Sequence, residues 1–230
     1  MGVGRFIHHF GGFLLLAATV LLIVVDITAP VVNDIAILKV DLNELASTNA
    51  SQVPTTINFG TFGYCILRES GDECSKSQIG YNPASVIYNA AGGNVVEFSD
   101  AAENAAKALT YVMVLHPVAT GLCFIAFLLA LGAGTLGSLM SSLVALLAFF
   151  VTLVALACDF AGFALVKRRV NNADIDLKAE WAVGIWLVLV AAVLALAATI
   201  IVFFTCCSGR RRRSRESKKM AAYQSSPTRY

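Results

Sequence analysis

Residues 181–204 have the sequence WAVGIWLVLVAAVLALAATIIVFF, and TCCSGRRRR follows at 205–213. The first stretch is long and apolar enough to cross the hydrocarbon core of a bilayer as a helix, which takes roughly 20 residues. Four consecutive arginines, Arg210–Arg213, come soon after it. Because basic residues that flank a span stay cytoplasmic, this stretch predicts a membrane helix that ends in the cytoplasm.

Three more apolar stretches precede this one, over about Phe6–Val25, Tyr111–Ala133 and Leu139–Leu165. The whole chain is 57% hydrophobic and only 14% charged, whereas about 25% of the residues in a soluble domain are charged. We therefore predict an all-α membrane protein with four spans. The cytoplasmic start and first span occupy 1–25, and spans two to four with short loops occupy 111–207. A cleaved signal peptide, with Arg5 as its basic start, is the alternative for the first stretch.

Charge is divided unequally between two regions of the chain. Residues 208–230 hold eight Lys/Arg and one acid, whereas residues 26–110 hold ten acids and four bases. This division predicts a basic, disordered cytoplasmic tail at 208–230 and an extracellular loop domain at 26–110, with both termini cytoplasmic. The basic cluster Lys167–Arg169 disagrees, since it would lie in the outer loop between spans three and four. No basic folded domain accompanies the tail, so no nucleic-acid partner is expected.

The loop domain carries its own structural signals. Asn49 begins a glycosylation sequon, Asn-Ala-Ser, as befits an outer face. Residues 55–67 mix β-branched and aromatic side chains with two glycines, which predicts one or two short strands. Cys65 and Cys74 are the two cysteines of the loop, and in an oxidising compartment they would form a disulfide. A metal site is the alternative, but the loop contains no histidine to serve as a ligand.

The loop ends in a predicted helix. Asp100 followed by Glu103 resembles a capping box, and Ala101–Leu109 are strong helix formers. This helix is expected to continue into span two. His116-Pro117 should then kink it near the outer boundary of the membrane, because proline lacks a backbone donor and clashes with the preceding turn.

Several short motifs occur in a fixed order around these elements: Thr28-Ala29-Pro30-Val31-Val32, Asn58-Phe59-Gly60-Thr61-Phe62-Gly63-Tyr64-Cys65, Ile79-Gly80-Tyr81, Leu115-His116-Pro117-Val118-Ala119 and Asp159. Over roughly residues 6–215 the chain resembles the fungal PalI family. That family is similar in architecture to claudins, whose first loop forms a small sheet pinned by a disulfide. The resemblance implies a claudin-like four-helix bundle with a small β-rich, disulfide-pinned extracellular domain.

The resemblance also implies a function. The chain would sit in a fungal plasma membrane and assist the sensing of ambient alkaline pH by binding and stabilising a polytopic pH-sensor protein. The alternative is a structural organiser of plasma-membrane microdomains, the cortical patches. A channel or transporter has little support, because Asp159 is the one acid deep in a predicted span. The sequence leaves self-association open.

No catalytic constellation is visible in the sequence. The histidines His8, His9 and His116 are placed at membrane edges, and the chain has no phosphate loop, HExxH or CxxC motif. We therefore predict neither an enzyme nor a cofactor or metal site. Two intramembrane polar residues, Asp159 and His116, are the remaining candidates. Asp159 must find a partner in the bundle, either as a structural residue or as a proton-sensitive switch. Counted from the outer ends of the spans, Asp159 lies deeper than His116, so no direct contact is expected.

Small residues recur at four-residue spacing, in the pairs Ala157 with Ala161, Cys158 with Gly162 and Ala191 with Ala195. They are expected to pack the bundle rather than to form a dimer face. Cys206 and Cys207 are candidate palmitoylation sites beside span four. The basic residues after them are expected to bind anionic lipids; they are Arg210, Arg211, Arg212, Arg213, Arg215, Lys218 and Lys219.

Overall fold

The computed structural model describes residues 2–42, 55–91, 98–132, 135–173 and 177–224, with side chains described in these ranges except at 2–5, 8, 135–136 and 206–224. The helices are α1 (Gly2–Asp26), α2 (Pro83–Ala90), α3 (Asp100–Val112), α4 (Leu115–Leu131), α5 (Thr135–Asn171) and α6 (Val183–Gln224). The strands are β1 (Leu38–Asp41), β2 (Thr56–Phe59), β3 (Tyr64–Leu67), β4 (Glu73–Cys74) and β5 (Lys178–Trp181).

Among the described residues, four helical segments are long and apolar enough to cross a membrane: His9–Asp26, Asp100–Leu131, Gly137–Asn171 and Val183–Thr205. In the bundle α1 packs against α4 and α6, and α5 packs against the same two helices. The strands all lie at one end of this bundle, which we call the sheet end. The architecture confirms the prediction of a claudin-like four-helix bundle that carries a small β-rich region.

The second span is interrupted where its sequence predicts a kink. A turn at Met113 and Val114 separates α3 from α4. Pro117 lacks an N–H group, and its ring would clash with the carbonyl four residues earlier, which belongs to Met113. The helix therefore tightens there, and His116 N donates to Met113 O at 3.0 Å.

The start of α3 corrects the capping prediction. Ser99, not Asp100, is the N-cap residue, because its hydroxyl accepts from the Ala102 amide and its carbonyl accepts from the Glu103 amide. Asp100 is the first helical residue, where a carboxylate favours the positive end of the helix dipole. Glu103 instead accepts a hydrogen bond from Asn82, the N-cap residue of α2.

Two helices extend beyond the predicted spans. α5 reaches Asn171, so the cluster Lys167–Arg169 lies in its last turns rather than in a loop. Basic side chains at a helix C-terminus complement the negative end of its dipole. α6 reaches Gln224, so the backbone of the tail is helical over most of 208–230 rather than disordered. Arg, Lys, Ala, Met and Glu are good helix formers and continue a helix that the span has already nucleated. Residues 225–230 lie outside the described ranges.

The strands form one antiparallel sheet in the order β4-β3-β2-β1-β5. β2 and β3 confirm the strands predicted at 55–67, whereas β1, β4 and β5 were not predicted. The Cys65–Cys74 disulfide joins directly opposed residues of β3 and β4, which confirms that prediction. At the other edge, Asn171 accepts from Ala179 N (2.7 Å) and donates to Ala179 O (3.3 Å), so its amide occupies part of the open edge of β5.

The largest buried side chains lie where the sheet meets the helices. This core contains Ile57 and Phe59 from β2, Ile87 from α2, Phe163 from α5 and Ile185 from α6. It joins the sheet and the helix ends into one hydrophobic cluster. The sheet therefore rests on the bundle rather than extending from it.

The pairs of small residues divide into two groups. Ala191 and Ala195 are fully buried in the bundle, and Gly162 is buried against α3, as predicted. Ala157 and Ala161 are exposed on the outward face of α5, so the prediction that they pack the bundle is wrong. They lie on the opposite side of α5 from Asp159, which is 2% exposed.

Candidate functional site

The β2–β3 turn packs closely against the end of α1 and forms hydrogen bonds with it. A Cβ atom at Gly60 would overlap the backbone oxygen and nitrogen of Ala29, so only glycine permits this approach. Thr61 N donates to Thr28 Oγ1 at 3.0 Å, and the hydroxyls of Thr61 and Thr28 both donate to Val25 O at 2.8 Å. Carbonyls in the last turn of a helix lack intrahelical donors. Here two threonine hydroxyls supply them.

Tyr81 ties the same turn to α3. Its hydroxyl donates to Gly60 O at 2.7 Å, and its own carbonyl accepts from Thr110 Oγ1 at 2.6 Å. Burial, reinforced by the Asp159 carboxylate, raises the pKa of Tyr81 well above its ordinary value of 10.0. The phenol therefore remains a hydrogen-bond donor throughout the ambient pH range.

An aromatic layer separates the sheet from the polar centre of the bundle. The ring of Phe59 stacks on that of Tyr81 with centroids 6.3 Å apart and meets Phe163 at 6.4 Å. Phe163 lies one helical turn after Asp159 on α5. Side chains four residues apart share a helix face, so Asp159 lies below this layer.

His116 and Asp159 form a buried pair. His116 Nε2 lies 2.9 Å from Asp159 Oδ2, and the two side chains are 0% and 1% exposed. The prediction that they lie at different depths is wrong. Helix α3, which leads into α4, begins before the second apolar stretch, and α5 ends after the third. The ends of those stretches therefore do not measure depth. Gly162 also lets α5 approach α3 closely: a Cβ there would lie 3.1 Å from Leu109 Cβ.

Asp26 and Thr120 extend the pair to a third helix. Thr120 Oγ1 donates to Asp26 Oδ2 at 2.8 Å and to His116 O at 2.9 Å. Asp26 Oδ1, His116 Nδ1 and Asp159 Oδ1 are buried without a hydrogen-bond partner among the described residues. We call Asp26, His116, Thr120 and Asp159 the polar cluster; it joins α1, α4 and α5. The sequence indicated Asp159 and His116 as intramembrane polar residues but did not indicate Asp26 or Thr120 as their neighbours.

The remaining predicted sites fall outside this centre. Asn49 lies outside the described residues, as do the side chains of Cys206 and Cys207 and of the basic residues that follow them. Within the described ranges, no three His, Cys, Asp or Glu side chains gather closely enough to hold a metal ion. The polar cluster is therefore the candidate functional site in the described part of the chain. Its histidine and its two carboxylates are side chains suited to proton exchange.

A model of a known protein family matches residues 7–198, from the first turns of α1 to the middle of α6; its description is SUR7/PalI family. The chain belongs to the SUR7/PalI family. This membership confirms the resemblance seen in the sequence motifs. With the four apolar helices, it identifies a multi-pass membrane protein.

One curated relative carries a functional name. The pH-response regulator protein palI/RIM9 of Yarrowia lipolytica (strain CLIB 122 / E 150) is 30% identical over 173 residues, which is 75% of this chain and 21% of the relative. This SUR7/PalI family chain therefore spans about a fifth of the length of the curated relative that it matches. The relative is named as a regulator, not as an enzyme.

Proposed function

We propose that this SUR7/PalI family protein is an accessory of ambient alkaline-pH signalling in a fungal plasma membrane, where it binds and stabilises a polytopic pH sensor. The observation that carries the proposal is the 30% identity to a pH-response regulator over 75% of the chain. The described chain contributes a scaffold: a sheet end held by a disulfide and specific hydrogen bonds, and a bundle whose outer faces are apolar. It is proposed to be neither an enzyme nor a cofactor-binding protein.

The proposed topology places both termini in the cytoplasm and the sheet end outside. The disulfide at the sheet end supports it, because disulfides persist in oxidising compartments. The arginines after the fourth span support it too, since they lie at the opposite end of α6 from the sheet. Lys167–Arg169 would then face outside, where the dipole of α5 stabilises them. Asn49 would be accessible to glycosylation.

The sensor is proposed to pair with the outward faces of the spans. Ala157 and Ala161 offer a shallow place on α5 where another helix could approach closely. On the inner side, Cys206 and Cys207 are proposed as palmitoylation sites. The basic residues Arg210–Arg213, Arg215, Lys218 and Lys219 are proposed to bind anionic lipid, at about 1 kcal/mol for each charge near the surface.

The test is deletion of the gene in its own host. After a shift to alkaline medium, proteolytic processing of the pH-responsive transcription factor is measured. Loss of processing that the intact chain restores supports the proposal, whereas normal processing without the gene contradicts it. Rescue should fail with Gly60→Ala, which disrupts the contact between the β2–β3 turn and α1, and succeed with Gly121→Ala. Gly121 makes a fair control because a Cβ there would meet no atom within 4 Å.

The family description also names SUR7, so an organiser of plasma-membrane microdomains is the second candidate. Neutralising Arg210–Arg213 separates the two roles. An organiser held by lipid charge should redistribute in the membrane when these charges are removed, while pH signalling stays normal. A sensor partner should lose signalling chiefly when the sheet end is broken.

A further inference from the structure

We propose that the His116–Asp159 pair is a proton-binding site that opens toward the sheet end through Asp26, and that loss of its proton at alkaline pH loosens the sheet from the bundle. The physiological meaning rests on the proposed function in pH response. The site itself rests on the geometry of the polar cluster alone. It would make this chain responsive to protons in its own right.

The charge of the pair depends on a single proton. With that proton bound, the pair is net neutral, whether the proton resides on His116 or on Asp159. Without it, a neutral imidazole faces a carboxylate, and one negative charge is left in a bundle where both side chains are at most 1% exposed. A buried charge without a partner is strongly destabilising. The bundle therefore favours the protonated pair, and alkaline conditions act against that preference.

The charged and titratable groups around the pair reinforce this dependence. α1 contributes Asp26, which Thr120 links to the backbone of His116. α5 contributes Cys158 beside Asp159, and the loop above contributes Tyr81, whose raised pKa keeps it neutral. The described span of α6, residues 183–205, contains no titratable side chain. No lysine or arginine therefore comes from that helix to compensate the pair once its proton is lost.

Asp26 gives the pair a route to the sheet end. Its side chain is partly exposed, whereas those of His116 and Asp159 are buried. Its hydrogen bond with Thr120 brings it beside the turn of α4 that carries His116. Three buried atoms between Asp26 and the pair have no hydrogen-bond partner among the described residues and can accept a proton: Asp26 Oδ1, His116 Nδ1 and Asp159 Oδ1. Protons can thus reach the pair without crossing the apolar half of the bundle.

Two connections carry the state of the pair to the sheet. On α5, Phe163 lies one turn from Asp159 and contacts Phe59 of β2. On α1, Asp26 directly follows Val25, whose carbonyl accepts from Thr61 of the β2–β3 turn. A side-chain rearrangement in the polar cluster therefore bears on two of the contacts that hold the sheet on the bundle.

The protein contains a natural fluorescent reporter of the contact between the sheet and the bundle. Trp181 of β5 meets the ring of Phe160, the residue after Asp159, with centroids 5.1 Å apart. The chain has one other tryptophan, Trp186, which is 52% exposed on α6. The full chain with Trp186→Phe, reconstituted in lipid nanodiscs, is titrated from about pH 5 to about pH 9, around the ordinary histidine pKa. We expect one reversible change in Trp181 fluorescence with the steepness of a single proton.

Three variants define the origin of the transition. Asp159→Asn and His116→Gln should each remove the transition at the wild-type midpoint, because the proton is shared by both side chains and each variant leaves only one of them. Asp26→Asn should move the midpoint to lower pH, by roughly half a unit, since it removes a negative charge that favours the protonated pair. His9→Gln, at the other end of α1, is the matched control and should leave the midpoint unchanged.

A second measurement does not depend on changing the site. The chain has three histidines, so His8→Gln with His9→Gln leaves His116 as the single histidine. In this ¹⁵N-histidine-labelled chain, the ring signal should change at the same midpoint as the fluorescence. A flat wild-type titration, a transition that keeps the wild-type midpoint in Asp159→Asn, or a His116 signal that is constant over the range would each overturn the proposal.

The outcomes also separate this inference from the proposed function. Normal transcription-factor processing in the deletion strain would remove the pH-response role and leave a proton site seen in nanodiscs standing. A flat titration together with lost processing would remove the site and leave the accessory role standing. If both hold, Asp159→Asn should shift the pH threshold of processing in cells.

Discussion

The two halves of the bundle are built differently. Near the sheet end, the buried contacts are large rings and specific polar bonds, among them Phe59, Phe163 and the His116–Asp159 pair. Away from the sheet, the helices meet through a cluster of small side chains and one leucine: Leu15, Ala126, Ala130, Ala145 and Ala198. The half near the sheet depends on specific hydrogen bonds and ring contacts, whereas the half away from the sheet depends on the close approach of helix backbones.

The difference follows from what drives packing in each environment. In lipid, apolar side chains gain little by leaving the solvent, so small residues that let helix backbones approach gain mainly dispersion energy. Where the helices emerge toward the sheet, buried backbone groups need partners and large rings gain from leaving water. The sheet end should therefore tolerate single substitutions less well than the alanine-packed half, and its failures should concern specific bonds.

The largest effect is expected from Gly60→Ala at the sheet end. The added methyl group would overlap the Ala29 backbone, so either the turn or the end of α1 must move. We expect a loss of about 3 kcal/mol or more in the free energy of unfolding. Thermal unfolding of the full chain in detergent, together with delivery to the cell surface, measures it.

Gly121→Ala controls for the general effect of alanine in this chain. It lies in the middle of α4 on an exposed face and should stabilise the helix by up to about 1 kcal/mol. If Gly60→Ala and Gly121→Ala behave alike, the grip of the β2–β3 turn on α1 contributes nothing special.

Cys65→Ser should have the next largest effect. It opens the ring between β3 and β4, and in the chain-entropy model such a ring stabilises the folded state by about 2–3 kcal/mol. We expect impaired surface delivery and loss of the mobility shift between reducing and non-reducing gels. Cys123→Ala, a free buried cysteine in α4, is the matched control. A mobility shift that persists in Cys65→Ser would contradict the assignment.

Ala198→Leu tests the other half of the bundle. Ala198 is fully buried between helices, and a larger side chain must push them apart. Overpacking of this kind costs about 1–3 kcal/mol, and the looser lipid-embedded half should fall at the lower end. Val193→Leu, at a position that is 57% exposed, should change the unfolding temperature little. A loss larger than that of Gly60→Ala would reverse the comparison of the two halves.

Sequence reasoning succeeded where the signal was local. The four spans, the β2–β3 strands, the kink before Pro117 and the disulfide all follow from periodicity, residue type or spacing within one segment. β2 and β3 are equally short, but a turn within one segment joins them, whereas β1 (Leu38–Asp41) and β5 (Lys178–Trp181) pair with each other across the chain and were missed. A strand made by such distant partners leaves little trace in its own sequence.

The polar cluster shows the same limit more sharply. Asp159 announced itself as an acid within a span, yet its partner could not be assigned from depth. The contact depends on how far α3 and α5 extend and on Gly162 lying against Leu109. Asp26 was placed at the start of the loop domain, since nothing in its neighbourhood indicated Thr120, which is 94 residues away. Tertiary packing decides these contacts.

Tyr81→Phe is expected to have the smallest effect. It distinguishes a pH dependence that arises at the contact between sheet and bundle from one that arises in the polar cluster. It removes one hydrogen bond to Gly60 O, at a cost of about 1 kcal/mol. Because the pKa of Tyr81 is raised above 10.0 in the folded chain, the unfolded chain releases this proton first as pH rises. The stability that Tyr81 contributes is thus complete below about pH 10 and declines above it. The difference between wild type and Tyr81→Phe should be constant from about pH 5 to about pH 9, whereas the difference between wild type and Asp159→Asn should not be. A Tyr81→Phe difference that varies within this range would transfer the pH dependence from the polar cluster to the aromatic layer above it.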